Sequence, residues 1–455
     1  MRTPARLLAR LAVFLAALQL AMQPAAAQSI LRDAETEALL QDMVDPLAEA
    51  AGLGAGSVEI VLVQDNSINA FVAGGQRIYI NSGLINAADT AIEVQGVMAH
   101  ELGHITGGHI IRTSEGVGAA TNISILSLLL GAVAVAAGAG DAGMGILMAG
   151  QQAAMGKFLA FTRVQESSAD AAGAKYLSEA GISGKGSIEF FKKLQNLEFR
   201  YGYSQDEDAA FSRTHPLTGD RIANLRNTLE QDPAWDRQPD PTIQERFERA
   251  KAKLYGYLAT PQATLRDYPP TMTGIPARYA RAYAYHKDAQ IDKALVETKA
   301  LIEMDPHDPY FLELQGQILL ESGRPEEALA PLREATRLTG NNPLIASSFG
   351  HALIATEDSK NFAEAETVLR AAVAKDRENP FAWYQLGVVY AERGDMPRAR
   401  LASAEQQIMT GRTAEALQSA QVAERGLPPG SPDWIRAQDI TLQARAELDR
   451  AKSRK

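Results

Sequence analysis

His100-Glu101-Leu102-Gly103-His104 is the stretch around which the rest of the chain can be organised. It falls in an apolar segment of helical character that begins near Ala91. On a helix, residues i and i+4 lie one turn apart on one face, so His100 and His104 present both imidazoles to a single metal ion. Glu101 stands about 100° round the helix, where its carboxylate can reach a water at that metal without ligating. A catalytic site of this kind ordinarily has three protein ligands and a water, so a third ligand is needed. Gly107 matches the glycine of H-E-x-x-H-x-x-G-x-x-H. Ile110, however, holds the final histidine position, and His109 comes one residue early, about 100° off the required face. His109 therefore reads as a histidine that ends the helix or backs a ligand. A better third ligand is Glu166, in Arg163-Val164-Gln165-Glu166-Ser167-Ser168-Ala169-Asp170. From a second helix it would complete a His2Glu set, and Asp170, one turn on, would accept a hydrogen bond from a ligand histidine and fix its tautomer. The same two acids also read as a solvated helix face.

Upstream, Asp33 to Ala51 has helical apolar spacing, Val58 to Val63 is a β-branched strand, and Asn69-Ala70-Phe71-Val72 is a second short strand. Gly74-Gly75 turns into a third run, Arg77 to Asn81. The expectation is a small α+β unit. Downstream, Ile123 to Ala139 carries no charge and resembles a membrane span, and a more polar segment, Ala142 to Phe161, returns after a glycine-rich turn. If His104 and Glu166 meet at one metal, the chain between them crosses a membrane an even number of times or not at all. The hairpin, about residues 122–161, would insert, lie on a lipid surface or cover the site.

The C-terminal half is repetitive. Trp383, Leu386, Gly387 and Tyr390 match the tetratricopeptide pattern W-x2-L-G-x2-Y, with Ala399 at the later small position. Gly350, Gly316 and Ala282 precede Gly387 at spacings of 37, 34 and 34 residues, and Pro276, Pro309, Pro343 and Pro380 open successive helical pairs. Ala294, Ala328 and Ala365 are the partner positions where two helices approach closely. At least four repeats should stack into a solenoid, with Ala402 to Arg450 continuing it in degenerate form. His286, His307 and His351 are scattered through these repeats and read as structural.

Arg2, Arg6 and Arg10, an apolar run to Met22 and Ala25-Ala26-Ala27 read as a secretory signal peptide cleaved after Ala27, the alternative being an uncleaved N-terminal anchor, for which the apolar run is short. Its removal takes away three positive charges, so the formal charge of −10 becomes −13. That balance excludes a nucleic-acid binder, whose affinity comes from neutralising phosphates. Hydrophobic residues at 46% and charged residues at 22% exclude wholesale disorder and a polytopic membrane protein. An exported chain without cysteine suits a bacterial periplasm. The expected domains are 1–27 signal peptide, 28–230 metallopeptidase, 231–272 linker and connecting helix, and 273–455 repeats. The fold class is an α+β zincin-like domain, mainly helical with a small sheet, followed by an all-α solenoid.

Asn69-Ala70-Phe71, Gly74-Gly75, Ile78 to Leu84, the H-E-x-x-H stretch, Glu166 with Ala169 and Asp170, and Thr214-His215-Pro216 with Arg221-Ile222 together resemble the HtpX-like and CAAX-prenyl-protease-like zinc metallopeptidases. With the signal peptide and repeats, the chain is similar to a periplasmic, tetratricopeptide-bearing branch of that family. The resemblance implies one Zn2+ held by His100, His104 and Glu166, with Glu101 as catalytic base. Asn69, Ala70 and Phe71 would bind extended substrate by edge addition. By the same similarity His215 lies in a loop over the metal, stabilising the oxyanion or ligating zinc as a reversible latch; the plainer alternative is a histidine packed before a proline. The implied function is a periplasmic endopeptidase for misfolded or stalled proteins in outer-membrane assembly quality control. Its repeats would bind clients or the assembly machinery, with peripheral membrane contact through residues 123–161. The alternative is a chaperone or scaffold of that machinery with a latched or inactive zinc site.

Overall fold

The computed structural model describes residues 29–136, 140–201, 215 and 219–453. The proposed signal peptide, the tip of the hairpin at 137–139, and Thr214 and Pro216 lie outside them. A four-stranded sheet opens the chain: β1 (Ser29–Leu31), β2 (Glu59–Gln64), β3 (Ala70–Val72) and β4 (Arg77–Asn81), in the spatial order β1-β2-β4-β3. β2 and β4 run parallel, while β1 and β3 pair antiparallel at opposite edges. The β3 register sets Phe71 opposite Tyr79, with rings stacked at 5.0 Å. Gly74 and Gly75 take positive φ in the turn between β3 and β4, a conformation that side-chain-bearing residues adopt at a cost.

Helix α1 (Ala34–Ala50) starts where Asp33 accepts a hydrogen bond from Thr36 N, and its apolar face, Leu39, Leu40, Met43, Val44 and Leu47, is fully buried. After the short α2 (Ser82–Ala87) comes α3 (Ala91–Thr106), every residue of which is buried from Ala91 to His104. It is the central rod of the unit, and Gln95 Nε2 ties it to Met43 O of α1 at 3.3 Å. The helices α4 (His109–Ala136), α5 (Gly140–Ala180), α6 (Lys185–Tyr201) and α7 (Gly219–Glu230) complete the unit. The C-terminal part of α5 packs on α3, while α4 and the first half of α5 stand out as a hairpin. Leu126, Leu129, Leu130, Val133 and Met148 on that hairpin are exposed, and His109–Ala134 is long and apolar enough to cross a membrane.

The stretch from Gln231 does not swing free. Ala234 is buried, Ser183 Oγ donates to Trp235 O at 2.6 Å, and α8 (Pro241–Leu258) places Phe247, Ala250 and Leu254 in the same apolar core as α1 and α3. After α9 (Pro261–Asp267), five helical pairs follow: α10 (Ile275–Lys287) with α11 (Ile291–Met304), α12 (Pro309–Glu321) with α13 (Pro325–Leu338), α14 (Pro343–Ala355) with α15 (Phe362–Lys375), α16 (Pro380–Glu392) with α17 (Met396–Met409), and α18 (Thr413–Gly426) with α19 (Pro432–Ser453). Proline stands in the first turn of α10, α12, α14 and α16, where its missing N–H costs nothing, and Asp308, Asn342 and Asn379 cap the last three. Gly316 and Gly350 admit Leu332 and Leu369 of their partner helices so closely that a Cβ would meet them at 2.4 and 2.5 Å. The repeat insertion is absorbed before α15 by a 3-10 turn, Ser359–Asn361.

The solenoid is docked by buried charges. Arg249 and Lys253 of α8 both reach Glu35 of α1, which also accepts from Tyr279 Oη at 2.7 Å. Arg249 bonds Asp308 at 2.6 Å, Lys253 pairs with Asp33, and Arg32 reaches Asp376 at 3.0 Å.

Candidate metal centre

His100 and His104 share one face of α3, their ring centroids 4.8 Å apart. What brings α5 within reach is the absence of side chains between the two helices. A Cβ on Gly103 would lie 2.6 Å from Ala169 O, and one on Gly173 would lie 3.1 Å from Ala99 O. The backbones therefore touch, and Glu166 and Asp170, one turn apart on α5, face the imidazoles. Thr106 Oγ1 and Tyr176 Oη, 2.8 Å apart, close the same seam further along.

The donor atoms form a tight cage. His100 Nε2 is 3.1 Å from His104 Nε2, and Glu166 Oε2 and Oε1 lie 3.4 Å from those two nitrogens. His215 Nδ1 is 3.3 Å from His100 Nε2 and 3.2 Å from Glu166 Oε1. All four residues are buried, and their ligand atoms fall within 4.8 Å of one another. Metal–donor bonds of about 2.0–2.1 Å in a tetrahedron put donors about 3.3 Å apart. The separations of 3.1 to 3.4 Å among these atoms fit one divalent ion held by two or three imidazoles and a carboxylate.

The electrostatics agree. Burial disfavours a charged imidazole, but the hydrogen bonds His100 donates to the Asp170 and Glu166 carboxylates outweigh it and push His100 up to about 10. At His104, burial and the neighbouring His100 and His215 hold the ring down to about 2. Burial raises the Glu166 carboxyl less than its contacts with His100 and His215 lower it, so it stays ionised.

A second layer orients the first. Asp170 Oδ1 lies 2.9 Å from His100 Nδ1, leaving Nε2 for the cage. Arg221 of α7 donates from Nε to Asp170 Oδ2 at 2.7 Å and from Nη2 to Oδ1 at 2.8 Å, and its Nη1 is 3.0 Å from Glu166 Oε2. In the sequence Arg221 is part of the family resemblance, six residues after His215, with no role attached to it. His109 Nδ1 lies 2.9 Å from His104 Nδ1, behind that imidazole and outside the cage, at the first residue of α4. Glu101 is fully buried, neither of its oxygens accepts a hydrogen bond, and His215 Nε2 is 3.5 Å away. Burial above all pushes its carboxyl upward. Asn69, Ala70 and Phe71 lie outside the cage, on the sheet edge that packs against α3.

Residues 34–229 match Peptidase family M48, and residues 277–343 and 355–408 match tetratricopeptide repeats. The chain is 25% identical over 400 residues to the "Beta-barrel assembly-enhancing protease" of Yersinia pestis, covering 83% of this chain and 78% of that one. Against the protein of the same name from Escherichia coli K12 it is 26% identical over 380 residues, covering 81% and 75%. "Metalloprotease LoiP" of Escherichia coli K12 is 31% identical over 168 residues, 36% of this chain and 60% of its own. The match spans the α3 and α5 residues of the cage, and its partner match spans the stacked helices, so the chain joins a peptidase family M48 metalloprotease domain to tetratricopeptide repeats.

Proposed function

We propose that the chain is a periplasmic zinc endopeptidase of a Gram-negative bacterium that cleaves misfolded or stalled polypeptides during outer-membrane protein assembly. The observation that carries the catalytic part is the four-donor cage with the buried Glu101 carboxylate beside it, which accepts no hydrogen bond and has His215 Nε2 3.5 Å away. The compartment rests on the signal-like residues 1–27, and the biological setting on the relatives named for beta-barrel assembly. The repeats supply a protein-binding surface for clients or assembly partners. The exposed apolar hairpin supplies a surface for peripheral lipid contact.

His100, His104 and Glu166 would hold zinc, which takes this set of two imidazoles and a carboxylate in catalytic sites. When bound, zinc contributes Lewis acidity toward a carbonyl and lowers the pKa of water toward about 7. Glu101 takes the proton of the attacking water and delivers it to the leaving amine, a task for which its raised proton affinity suits it. Substrate lies extended along β3, the sheet edge beside α3, so that its backbone is presented in register to the cage.

A specific observation also favours a latched state. His215 Nδ1 stands at 3.2 to 3.3 Å from Glu166 Oε1 and His100 Nε2, the separation of a fourth ligand, and a ring there excludes water. Elemental analysis and casein cleavage test both readings on the mature protein. Near one zinc per chain is expected in parent, Glu101→Gln and His215→Ala, with cleavage reduced about 10²–10⁴-fold in Glu101→Gln. His215→Ala should change the rate while retaining zinc. Zinc without cleavage in parent and His215→Ala alike favours the scaffold, and absence of zinc overturns the ligand set.

A further inference from the structure

A cavity of about 680 Å3 lies between the metallopeptidase unit and the solenoid, away from the metal centre. One wall is the outer edge of the sheet, Ser29, Ile30 and Leu31 of β1; the other is built by the first helices of successive repeats, including Glu313 of α12, His351 of α14 and Phe381 of α16. Among the described residues β1 has a strand neighbour on one side alone, and Ile30 is 58% exposed. An edge strand of this kind offers unpaired backbone groups to an incoming chain.

The charges within the cavity are unequal. Its cations are already engaged: Arg32 by Glu37 and Asp376, Lys253 by Asp33 and Glu35. Glu313 is not. Its Oε2 is buried and accepts no hydrogen bond, and among the described residues no lysine or arginine pairs with it. Burial, with Asp33, Glu35 and Asp308 adding to it against Lys253, pushes this carboxyl up to about 8. A carboxyl raised this far is mainly neutral at pH 7, and a cation placed beside it would favour its ionised form and pair with it. The half-exposed rings of Tyr257 and Phe381 flank the same space and suit the stem and charge of a basic side chain.

We propose that this cavity is a docking site for an extended polypeptide segment bearing a lysine or arginine: the segment adds as a strand to the outer edge of β1, and its basic side chain pairs with Glu313. The site stands apart from the cleavage chemistry. One sheet then has two working edges, β3 beside the metal centre and β1 beside the repeats. A client gripped at β1 is held by the solenoid without occupying the catalytic edge.

The test uses the full mature chain carrying Glu101→Gln, so that binding is read without cleavage. The probe is a short fluorescein-labelled peptide of alternating valine and threonine with one central lysine, compared by anisotropy with its central-glutamine counterpart. The lysine peptide should bind about ten-fold more tightly or better, the size of a charge-assisted pair. Adding Glu313→Gln should erase that preference, and N-methylation of alternate backbone amides should weaken the lysine peptide. A benzophenone photocrosslinker at Gln317, which lines the cavity, should capture the lysine peptide, whereas one at the exposed Glu303 of α11 should not. Equal affinities, no binding by either peptide, a preference that survives Glu313→Gln, or capture at Glu303 instead of Gln317 would each overturn the proposal.

Discussion

Gly103 lies between the two histidines of the cage and faces α5 without a side chain. A Cβ at this position would lie 2.6 Å from Ala169 O and 2.7 Å from Ala169 Cα, whereas the tightest real Cβ contacts fall at 3.0 to 3.4 Å. Gly103→Ala therefore forces α3 and α5 apart by about 0.4 to 0.8 Å at the level of the ligands. Backbone cannot give way as a flexible side chain would, so the separation between the imidazoles and Glu166 grows by a similar amount from its present 3.4 Å. Metal–ligand distances tolerate about 0.2 Å. The expected result is a loss of metal affinity on the order of 10–100-fold, as for removal of a ligand-orienting contact, together with about 1–3 kcal/mol of overpacking. Competition with a chromophoric chelator reads the first and thermal melting the second. Gly118→Ala on α4 is the control: its Cβ meets nothing within 4 Å, so it should leave metal binding unchanged and stabilise the chain by about 0.5–1 kcal/mol. If Gly103→Ala binds zinc as tightly as the parent, helix contact does not set the cage and the reasoning is wrong.

Arg221→Met leaves Asp170 and Glu166 without their cation in a buried site; a loss of about 3–5 kcal/mol in denaturant unfolding is expected, and an unchanged midpoint would refute the role. At the docking interface, burial raises the Asp33 carboxyl but Lys253 lowers it more, so its folded value lies below the ordinary one of about 3.9. The stability it contributes is thus present at neutral pH and disappears as pH falls through that depressed value. Lys253→Met should be destabilised by about 3–5 kcal/mol at neutral pH, and the gap from the parent should narrow on acidification below about pH 4; a gap independent of pH would dismiss the pairing. For the hairpin, Leu126→Glu with Leu129→Glu should reduce co-sedimentation with phosphatidylglycerol vesicles while leaving casein cleavage intact, and equal sedimentation would exclude this face as the lipid contact.

What could be read in advance follows from the range of each signal. The α3 histidines and the repeat positions are local patterns, i to i+4 in one case and a period of 34 in the other, and both features sit where the periodicity puts them. Glu166 is 62 residues from His104, beyond any periodicity, so the residues alone left it open between ligand and solvated face. Family resemblance favoured the ligand, and the glycine-to-backbone contact with α3 is the physical reason the two meet. Arg221 and the docking cluster had no local signature: Glu35 joins Arg249 and Tyr279 across more than two hundred positions. The Asp-, Pro- and Gln-rich start of residues 231–272 read as a linker because composition reports turns and says nothing of where Trp235 packs.

The position of α1 connects these pieces. Its N-terminal turn carries Asp33 and Glu35 into the buried charge cluster that holds the solenoid, and its apolar face supports α3, the helix of His100 and His104. Buried ion pairs add little net stability, because removing charges from water offsets most of their attraction, but they tolerate few alternative geometries. An apolar interface could slide; one built from Arg249 between Glu35 and Asp308, with Lys253 between Asp33 and Glu35, can satisfy all its charges in one arrangement only. These pairs oppose a hinge between the groove at β1 and the sheet edge at β3, since swinging the solenoid away would leave Glu35, Asp33 and Asp308 without their cations. Under the proposed docking at β1, a client segment would have to reach the metal centre by its own length, so casein and other chains with long unfolded stretches are the expected substrates ahead of compact folded ones.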